Sequence, residues 1–420
     1  MYMTRPMSRY LADPKAAAEE PPEGPGSGFL VVVDEATKEL ASRCCGLSWD
    51  RRLKGLPFPQ SRQVALQHSN SMNPAFTGIE CCLEILGSKL CFDIPSGRPP
   101  GSHTPAPIDL VVFVPVVGLP LSSGRYYVVR AEGKHKGMVS ACSKEEDKTS
   151  CCCFCTCVKD VKPRPFDSGD VYQQMEVAQS GSRSFKAESV MADGIPPEYL
   201  RKKGWKVSIA SPKYDLADDA QGVNRERRHQ MPPDLDAPPV VVGKWYVPFL
   251  FVKADGKRRL KDQAKETTFY EMTLEQSWDQ IYTATAGEGN QQEVAVTATV
   301  RRRTALLGGT DAVKEGSPYI DGGTIWFRPA ADGGVGLDKV VWEKMRWEME
   351  KEGWWVAAGN GHDGEERIER VERRDSGLLG SWNKFACYVL VERFVLRRMD
   401  RSVALTCDFK HTDKIRVKWA

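Results

Sequence analysis

The clearest indication of the fold is the segment NKFACYVLVERFVLRRMDRSVALTCDFKH, residues 383–411. Two runs rich in apolar and β-branched residues flank the polar tetrapeptide MDRS. This order is typical of a strand, a tight turn and a second strand. It predicts a hairpin near the carboxyl end of the chain, and with it a fold rich in antiparallel strands.

Further strand patterns precede this hairpin. VVFVPV, GRYYVVRA, the turn EGKHKG and GMVSACS predict consecutive antiparallel strands within residues 110–161. The segments GFLVVVDE, GTIWFRP and EVAVTATVRRR predict three more strands. Because side chains alternate across a strand, the last of these segments has a shared face formed by Val294, Val296, Ala298 and Val300.

Helices are expected at three places. GLDKVVWEKMRWEMEKEGW, residues 336–354, has apolar residues at helical spacing and a glycine near its end. MTLEQSWDQIYTAT, residues 272–285, combines capping-box spacing with an apolar stripe. PPEYLRKKG, residues 196–204, begins with proline and ends with glycine. The predicted fold class is therefore α+β, mostly antiparallel β-sheet with a few packed helices in two lobes.

The chain of 420 residues is long enough for two or three domains. Residues 1–27 are rich in proline and glycine and are predicted to form a flexible leader. The polar, proline-bounded residues 211–238 are predicted to link two lobes. The predicted division is an N-terminal β-rich lobe at 28–210, which contains a cysteine-rich strand, and a C-terminal α+β lobe at 239–420.

Composition narrows the choice of compartment and partner. Hydrophobic residues make up 41% of the chain and charged residues 27%, as in a globular protein with a core. A net charge of +3 is small for a dedicated nucleic-acid-binding protein, so nucleic acid is not expected as the main partner. No apolar run is long enough to span a bilayer. The 13 cysteines, without a secretory signal, indicate a reducing compartment, the cytoplasm or the nucleus.

The densest chemical motif is TSCCCFCTCVKD, residues 149–160. In one extended strand, neighbours on a face lie about 6.5–7 Å apart, too far for the sulfurs of one zinc site. Packing of free thiols in a core is therefore favoured, and no cofactor is expected. A metal or redox site stays open as the alternative, with thiol ligands from one face of the strand: Cys151, Cys153, Cys155 and Cys157.

Catalytic sequence motifs are absent. The chain contains no P-loop, no dinucleotide-binding glycine fingerprint after a strand, no HExxH and no GxSxG. A triad assembled only in the fold stays open, so the catalytic and cofactor-binding residues are unknown at this point. The turn EGKHKG brings Lys134, His135 and Lys136 together, either as an anion contact or, as we favour, as a solvated turn. Basic clusters such as RERRH are interpreted as exposed faces.

Several longer blocks carry a family resemblance. They include EGPGSGFLVVVDE, SSGRYYVVRAEGKHKG, CSKEEDKTSCCCFCTCVKDVKPRPFD, MRWEMEKEGW and the carboxyl-terminal hairpin. Together they resemble an uncharacterised plant protein family, domain of unknown function 1262, and the resemblance extends over nearly the whole chain. It implies a land-plant origin and an association with stress and defence. It supplies no activity, ligand or catalytic residue.

The leading hypothesis is a non-enzymatic intracellular protein that acts through contacts with a protein partner, in stress or defence. It is motivated by the absence of catalytic motifs beside many strands, exposed turns and tryptophan-rich segments. The alternatives are an enzyme with an unrecognised active site and a cysteine-based metal or redox protein. A cleft lined by titratable groups with perturbed pKa values would favour the enzyme. The partner's identity and the oligomeric state do not follow from the sequence.

Overall fold

The fold is that of a computed structural model of the 420-residue chain. It describes residues 1–43, 48–68, 80–85, 88–93, 108–152, 155–201, 204–210, 216, 219–254, 260–286, 292–315, 323–330, 333–356, 364–374 and 382–420. For those of them that fall within 40–49, 80–93 and 149–157, the backbone alone is described.

The described strands begin, in chain order, with β1 (Tyr2–Pro6), β2 (Gly28–Val32), β3 (Ser42–Arg43), β4 (Ser48–Trp49), β5 (Val64–Gln67), β6 (Glu80–Ile85), β7 (Ser88–Asp93), β8 (Ile108–Pro115), β9 (Arg125–Arg130), β10 (Ser143–Lys144), β11 (Lys148–Cys152), β12 (Cys155–Val158), β13 (Gln174–Gly181), β14 (Ser184–Ser189), β15 (Gly194–Ile195), β16 (Lys206–Ile209) and β17 (Gly222–Val223). They continue with β18 (Val240–Pro248), β19 (Val252–Ala254), β20 (Phe269–Thr285), β21 (Glu293–Arg301), β22 (Arg303–Leu307), β23 (Thr310–Glu315), β24 (Thr324–Pro329), β25 (Val335–Asp338), β26 (Glu365–Arg373), β27 (Lys384–Arg397) and β28 (Val403–Trp419).

The described α-helices are α1 (Met7–Ala12), α2 (Glu35–Ala41), α3 (Glu198–Arg201), α4 (Arg225–Gln230), α5 (Leu260–Glu266) and α6 (Lys339–Glu350). Short 3-10 helices lie at Pro14–Ala18, Leu121–Ser123, Glu145–Asp147, Val171–Gln173, Phe249–Phe251 and Lys351–Gly353. No helix in the described ranges is long and apolar enough to cross a membrane.

The largest sheet contains twelve strands of the described chain. Its order is β19-β25-β24-β23-β22-β28-β27-β20-β18-β1-β2, and β17 pairs with β18 beside this path. The predicted carboxyl-terminal hairpin is confirmed as β27 and β28, which pair in an antiparallel register near the middle of the sheet. The strand pairs of this sheet are antiparallel, apart from the parallel pair of β1 and β2. The mostly antiparallel, strand-rich prediction is thus confirmed.

Residues 272–285, predicted to be a helix, form strand instead, so that prediction is wrong. They belong to β20, which is hydrogen-bonded to β18 on one side and to β27 on the other. The first ten residues of β20 are buried or half-buried on both faces. A strand buried on both faces does not show the alternation of polar and apolar residues by which a sequence reveals strands. Pairing with β18 and β27 therefore determines that residues 272–285 form a strand.

The longest predicted helix is confirmed as α6. The side chain of Asp338 accepts a hydrogen bond from the backbone N–H of Val340 at 3.0 Å and caps the helix. Its buried face, at the spacing expected for a helix that covers a core, includes Val341, Met345 and Met349.

A second, six-stranded sheet lies between two hydrophobic cores. Its order is β14-β13-β9-β8-β5-β16. Along β8, Val112 and Val114 belong to one core, whereas Val111 and Phe113 belong to the other. The first of these cores also contains Phe269 of the large sheet. The segments predicted as two lobes therefore share a core, and their division into lobes remains a prediction.

Residues 1–27 pack against the fold, unlike the flexible leader that the sequence predicts. β1 pairs with β2 and contacts β18. Tyr2 is buried, and its hydroxyl donates a hydrogen bond to the carbonyl oxygen of Pro115 at 2.7 Å. Met7 and Tyr10 of α1 enter the second core. A few large apolar side chains thus fix a segment whose composition alone suggests a linker.

The predicted linker at 211–238 is also part of the fold where it is described. β17 pairs with β18. α4 follows Asn224, whose side chain accepts a hydrogen bond from the backbone N–H of Arg227 at 2.9 Å. Arg228 of this helix is buried. The buried, paired side chain of Arg228 fixes this segment to the fold. The other residues are mostly polar, so composition alone does not indicate the contact.

The cysteine run is divided between two strands. β11 and β12 pair in an antiparallel register with Cys152 opposite Cys155, so the chain turns within the run instead of forming the single strand predicted. Cys153 lies outside the described residues, and the side chains of Cys151, Cys155 and Cys157 lie outside them as well. The favoured packing of these four thiols in a core and the alternative of a metal site are therefore both untested.

Three other cysteines have described side chains. Cys142, Cys387 and Cys407 are free and buried. Burial raises the pKa of Cys142 to about 11, and burial also raises the pKa of Cys387 and of Cys407. These thiols stay protonated at neutral pH and act as small apolar groups. In the part of the chain that the structure describes, no group of three or more metal-ligating side chains is arranged around one point.

Candidate functional site

The site is built over a carboxylate buried in the large sheet. Glu392 lies in β27 and its side chain is 0% exposed. A buried carboxylate is stable only when donors replace the water that it has lost. Arg228 of α4 supplies two of them, because Nε donates to Oε1 and Nη2 donates to Oε2, each at 2.6 Å. This bidentate pair fixes α4 over the sheet.

Three further donors complete the shell of Glu392. Gln276 Nε2 donates to Oε1 at 2.9 Å, and Trp354 Nε1 and His411 Nε2 reach Oε2 at 2.7 and 3.0 Å. Burial alone would raise the pKa of Glu392, but the hydrogen bonds from Arg228 and His411 and the charge of Arg228 lower it to about 2. We call these five residues the Glu392 centre.

The two ring nitrogens of His411 have different roles. Nε2 faces the carboxylate of Glu392, which can only accept, so Nε2 carries the proton. Nδ1 lies 3.2 Å from the ammonium nitrogen of Lys414, which can only donate, so Nδ1 is the acceptor. Burial lowers the pKa of His411, although Glu392 acts in the opposite direction. The ring is therefore neutral, with both nitrogens bonded.

The Glu392 centre joins segments that are far apart in the chain. Both oxygens of Glu392 and both nitrogens of His411 have partners, so neither residue is free to exchange a proton with a substrate. The centre instead ties α4, β20, β27, β28 and the turn at Trp354 together. Sequence reasoning missed it, although a single glutamate inside the apolar run YVLVERFVL is the signal that could have revealed it.

The protonation of His411 gives a testable dependence of stability on pH. The unfolded chain binds a proton near the ordinary histidine pKa of 6.5, whereas the folded protein binds it only at lower pH. We therefore expect the free energy of unfolding to fall as the pH drops below 6.5. Urea denaturation at a series of pH values should show this slope in the wild type and a smaller slope in His411→Gln. Equal slopes in the two proteins would contradict the assignment.

A cleft of about 370 Å³ lies beside the Glu392 centre. Its aromatic wall consists of Trp245, which is buried, and of Trp347 and Trp354, which are half-buried. Its ionisable lining is mixed in sign and comprises Glu23, Arg225, Arg228, His229, Lys344, Glu348, Lys351 and Glu352. We call this cavity the tryptophan cleft. It brings together residues from the predicted leader, the predicted linker and the predicted helix at 336–354.

The charges of the tryptophan cleft are fixed by ion pairs. Lys344 is 2% exposed, and its Nζ contacts the carboxylate of Glu348 at 2.8 Å and donates to the carbonyl oxygen of Glu23 at 2.6 Å. Burial lowers the pKa of Lys344, and Glu348 acts against that shift. The Nζ atoms of Lys344 and Lys351 each lie 4.4 Å from the ring centre of Trp347. This indole is thus held by two cations.

A second cavity, of about 380 Å³, lies beside the six-stranded sheet. Arg130 Nη2 donates to Asp109 Oδ1 at 2.8 Å, and His68 Nε2 lies 3.9 Å from Asp109 Oδ2. The Arg130 guanidinium lies over the ring of Tyr199, 4.7 Å from its centre. The hydroxyls of Tyr199 and Ser140 are 2.6 Å apart. We call this cavity the histidine pocket.

The histidine pocket lacks an activated nucleophile among its described residues. Burial raises the pKa of Tyr199, so its hydroxyl stays protonated at neutral pH and does not act as a base toward Ser140. The turn predicted at EGKHKG is present, and its His135 lines this pocket. Lys136 lines a different cavity, of about 20 Å³, so the turn does not bring both residues to one ligand.

Comparison with known proteins adds little about function. No curated protein matches the chain. Among solved structures, the chain is similar to the crystal structure of Cry35Ab1, with a TM-score of 0.42 and 11% sequence identity, over 86% of this chain and 90% of that chain. A family described as "Protein of unknown function (DUF1262)" matches residues 23–154, less than half of the chain. On these comparisons residues 23–154 correspond to a domain of unknown function, with no activity assigned.

Proposed function

We propose that the chain is a non-enzymatic binding protein that holds a segment of a partner protein in the tryptophan cleft. One observation carries the proposal: the half-buried rings of Trp347 and Trp354 line one cavity with paired cations and carboxylates. Tryptophan and arginine are enriched at the energetic centres of protein interfaces. A cavity that combines both offers an apolar anchor and polar groups that orient the partner.

Rigidity of the cleft supports the same proposal. Trp354 donates to Glu392 at 2.7 Å, and the Arg228 guanidinium lies 5.0 Å from the ring centre of Trp354. Side chains that are already fixed lose little conformational entropy when a partner binds. The Glu392 centre therefore pre-organises one wall of the cleft for recognition.

The enzyme alternative has weaker support. Perturbed pKa values occur at both cavities, as an active site would require. However, in the described parts of the chain two of the perturbed groups are already bonded: Glu392 to Arg228 and His411, and Tyr199 to Ser140. Neither Glu392 nor Tyr199 presents a free acid or base to an open substrate position. Binding is therefore the better-supported function.

The finer features of the proposal come from composition and resemblance. We propose that the protein acts in the cytoplasm or nucleus of a plant, in stress or defence, with a protein as its partner and without a cofactor. The buried free thiols of Cys142, Cys387 and Cys407 suit a reducing compartment. The division into lobes at 28–210 and 239–420, joined at 211–238, belongs to the same proposal.

Replacement of Trp347 by alanine tests this function. We expect Trp347→Ala to weaken binding of the partner by about 2 kcal/mol or more, roughly thirtyfold, because truncation of a central interface tryptophan has effects of this size. The measurement is affinity purification from an extract of the source organism with each immobilised variant, followed by quantitative mass spectrometry.

Trp326→Ala is the matched control for that experiment. Trp326 is also half-buried and also lies near an arginine, with the Arg328 guanidinium 4.9 Å from its ring centre, but it does not line the cleft. A protein retained by the wild type and by Trp326→Ala, and lost from Trp347→Ala, supports the proposal. Equal retention of that protein by the wild type and by both variants contradicts the proposal.

A further inference from the structure

Within the tryptophan cleft, the chain places one of its own carboxylates among cations. Glu23 forms an ion pair with Lys351, and Arg225 Nη2 donates to Glu23 Oε2 at 3.2 Å. Lys344 Nζ donates to the main-chain oxygen of the same residue at 2.6 Å. The pKa of Glu23 is lowered, first by the hydrogen bond from Lys351. The three cations together form an anion site that Glu23 occupies.

Glu23 holds this site from an exposed position. Its side chain is 66% exposed, whereas that of Lys351 is 16% exposed. The other carboxylates of the cleft have different partners, since Glu348 pairs with Lys344 at 2.8 Å and Glu352 lies 3.6 Å from Arg225. If the Glu23 side chain rotated away, Lys351 would lose the carboxylate that it contacts in the described chain. A carboxylate from outside could then take its place without disturbing the two remaining pairs.

The backbone around Glu23 shows how an occupant of the cleft can lie on α6. A Cβ added to Gly24, at φ +111°, would lie 2.6 Å from a ring atom of Trp347. A Cβ added to Gly26, at φ +60°, would lie 2.5 Å from the carbonyl oxygen of Val340. Only glycine permits such close contact here. The backbone of the segment PEGPG therefore packs directly against α6, and the segment presents one carboxylate to the cations.

We propose that the tryptophan cleft recognises an acidic segment of a partner protein, and that Glu23 is an intramolecular competitor for its anion site. This inference rests on the proposed function of the cleft and names the chemistry of its ligand. A glutamate or aspartate flanked by small residues would pair with Lys351 and Arg225 and lie against Trp347. Removal of the competing charge should then make the site more available.

The test uses a fluorescently labelled, glutamate-rich peptide titrated with the full chain and followed by fluorescence anisotropy. We expect Glu23→Gln to bind the peptide about three- to tenfold more tightly than the wild type. Loss of one exposed, competing carboxylate should lower the dissociation constant by about this factor. Glu20→Gln is the control, since it removes an exposed carboxylate from the same segment outside the cleft lining. Lys351→Gln should weaken binding, and a lysine-rich peptide should not bind.

Equal affinity of the wild type and Glu23→Gln for the acidic peptide would overturn the competition. The same affinity for acidic and lysine-rich peptides would overturn the assignment of the ligand. Either result would leave the partner experiment with Trp347→Ala standing, so failure of this inference is distinguishable from failure of the proposed function. Circular dichroism of each variant shows whether the fold is retained, and the 66% exposure of the Glu23 side chain indicates that it is.

Discussion

Replacement of Glu392 by glutamine is expected to lower the free energy of unfolding by about 3–5 kcal/mol. The amide retains the size of the side chain and one carbonyl oxygen for its donors. It removes the negative charge, however, and leaves the buried guanidinium of Arg228 without its counter-charge. Removal of one partner from a buried ion pair is far more destabilising than loss of an exposed one. The measurement is urea denaturation at neutral pH, followed by circular dichroism.

Asp236→Asn is the matched control for Glu392→Gln. Asp236 pairs with Lys418 at 2.6 Å, and both side chains are exposed, by 60% and 48%. Loss of this pair should change stability by less than about 1 kcal/mol. If the two substitutions had equal effects, Glu392 would not be the anchor of α4 that the structure indicates.

Acid should lower the free energy of unfolding for a related reason. The contribution of Glu392 to stability is lost as the pH falls from 4.5 toward about 2, because the carboxylate becomes protonated.

Replacement of Trp205 by alanine should have an effect of similar size, about 3–5 kcal/mol, because it opens a cavity in the second core. Trp205 is 0% exposed. Its ring lies 6.3 Å from that of Phe113 and 5.5 Å from that of Phe185, and its Nε1 donates to the carbonyl oxygen of Leu200 at 3.0 Å. Urea denaturation measures the loss, with Trp326→Ala as the half-buried control that should lose less.

The Trp205 experiment also tests whether the two proposed lobes unfold together. Because the first core contains residues from both predicted lobes, we expect one cooperative transition that Trp205→Ala shifts as a whole. The six-stranded sheet lies on that core as well as on the core of Trp205. Two separate transitions, with only one moved by the substitution, would show instead that 28–210 and 239–420 unfold independently.

Local sequence patterns predicted those elements that local interactions decide. The hairpin of β27 and β28 carries two apolar runs and a polar turn, and α6 carries a capping aspartate and an apolar stripe. Both follow from contacts within one helix or between two strands joined by a short turn. β20 does not, because the positions of β18 and β27 on either side of it are set by the rest of the sheet.

For a related reason, the sequence signals Glu392 by its place in an apolar run but does not show which residues pair with it. Arg228, Gln276, Glu392 and His411 come from four segments that meet only in the folded sheet. The sequence predicts a leader at residues 1–27 and a linker at 211–238, because most of their residues are polar, proline or glycine. The buried side chains of Tyr2 and Arg228 contradict that interpretation, and their hydrogen-bond partners lie more than a hundred residues away in the chain.

Site-specific crosslinking tests directly whether a partner protein binds in the tryptophan cleft. A photo-crosslinking amino acid in place of Glu352 lies at the lining of the tryptophan cleft, and the same group in place of Val313, which is 67% exposed and outside that lining, serves as the reference. We predict a discrete adduct with a protein at position 352 that is lost in the Trp347→Ala background and absent at position 313. An adduct at position 352 that survives Trp347→Ala, or identical adducts at both positions, would show that the tryptophan cleft is not where the partner binds.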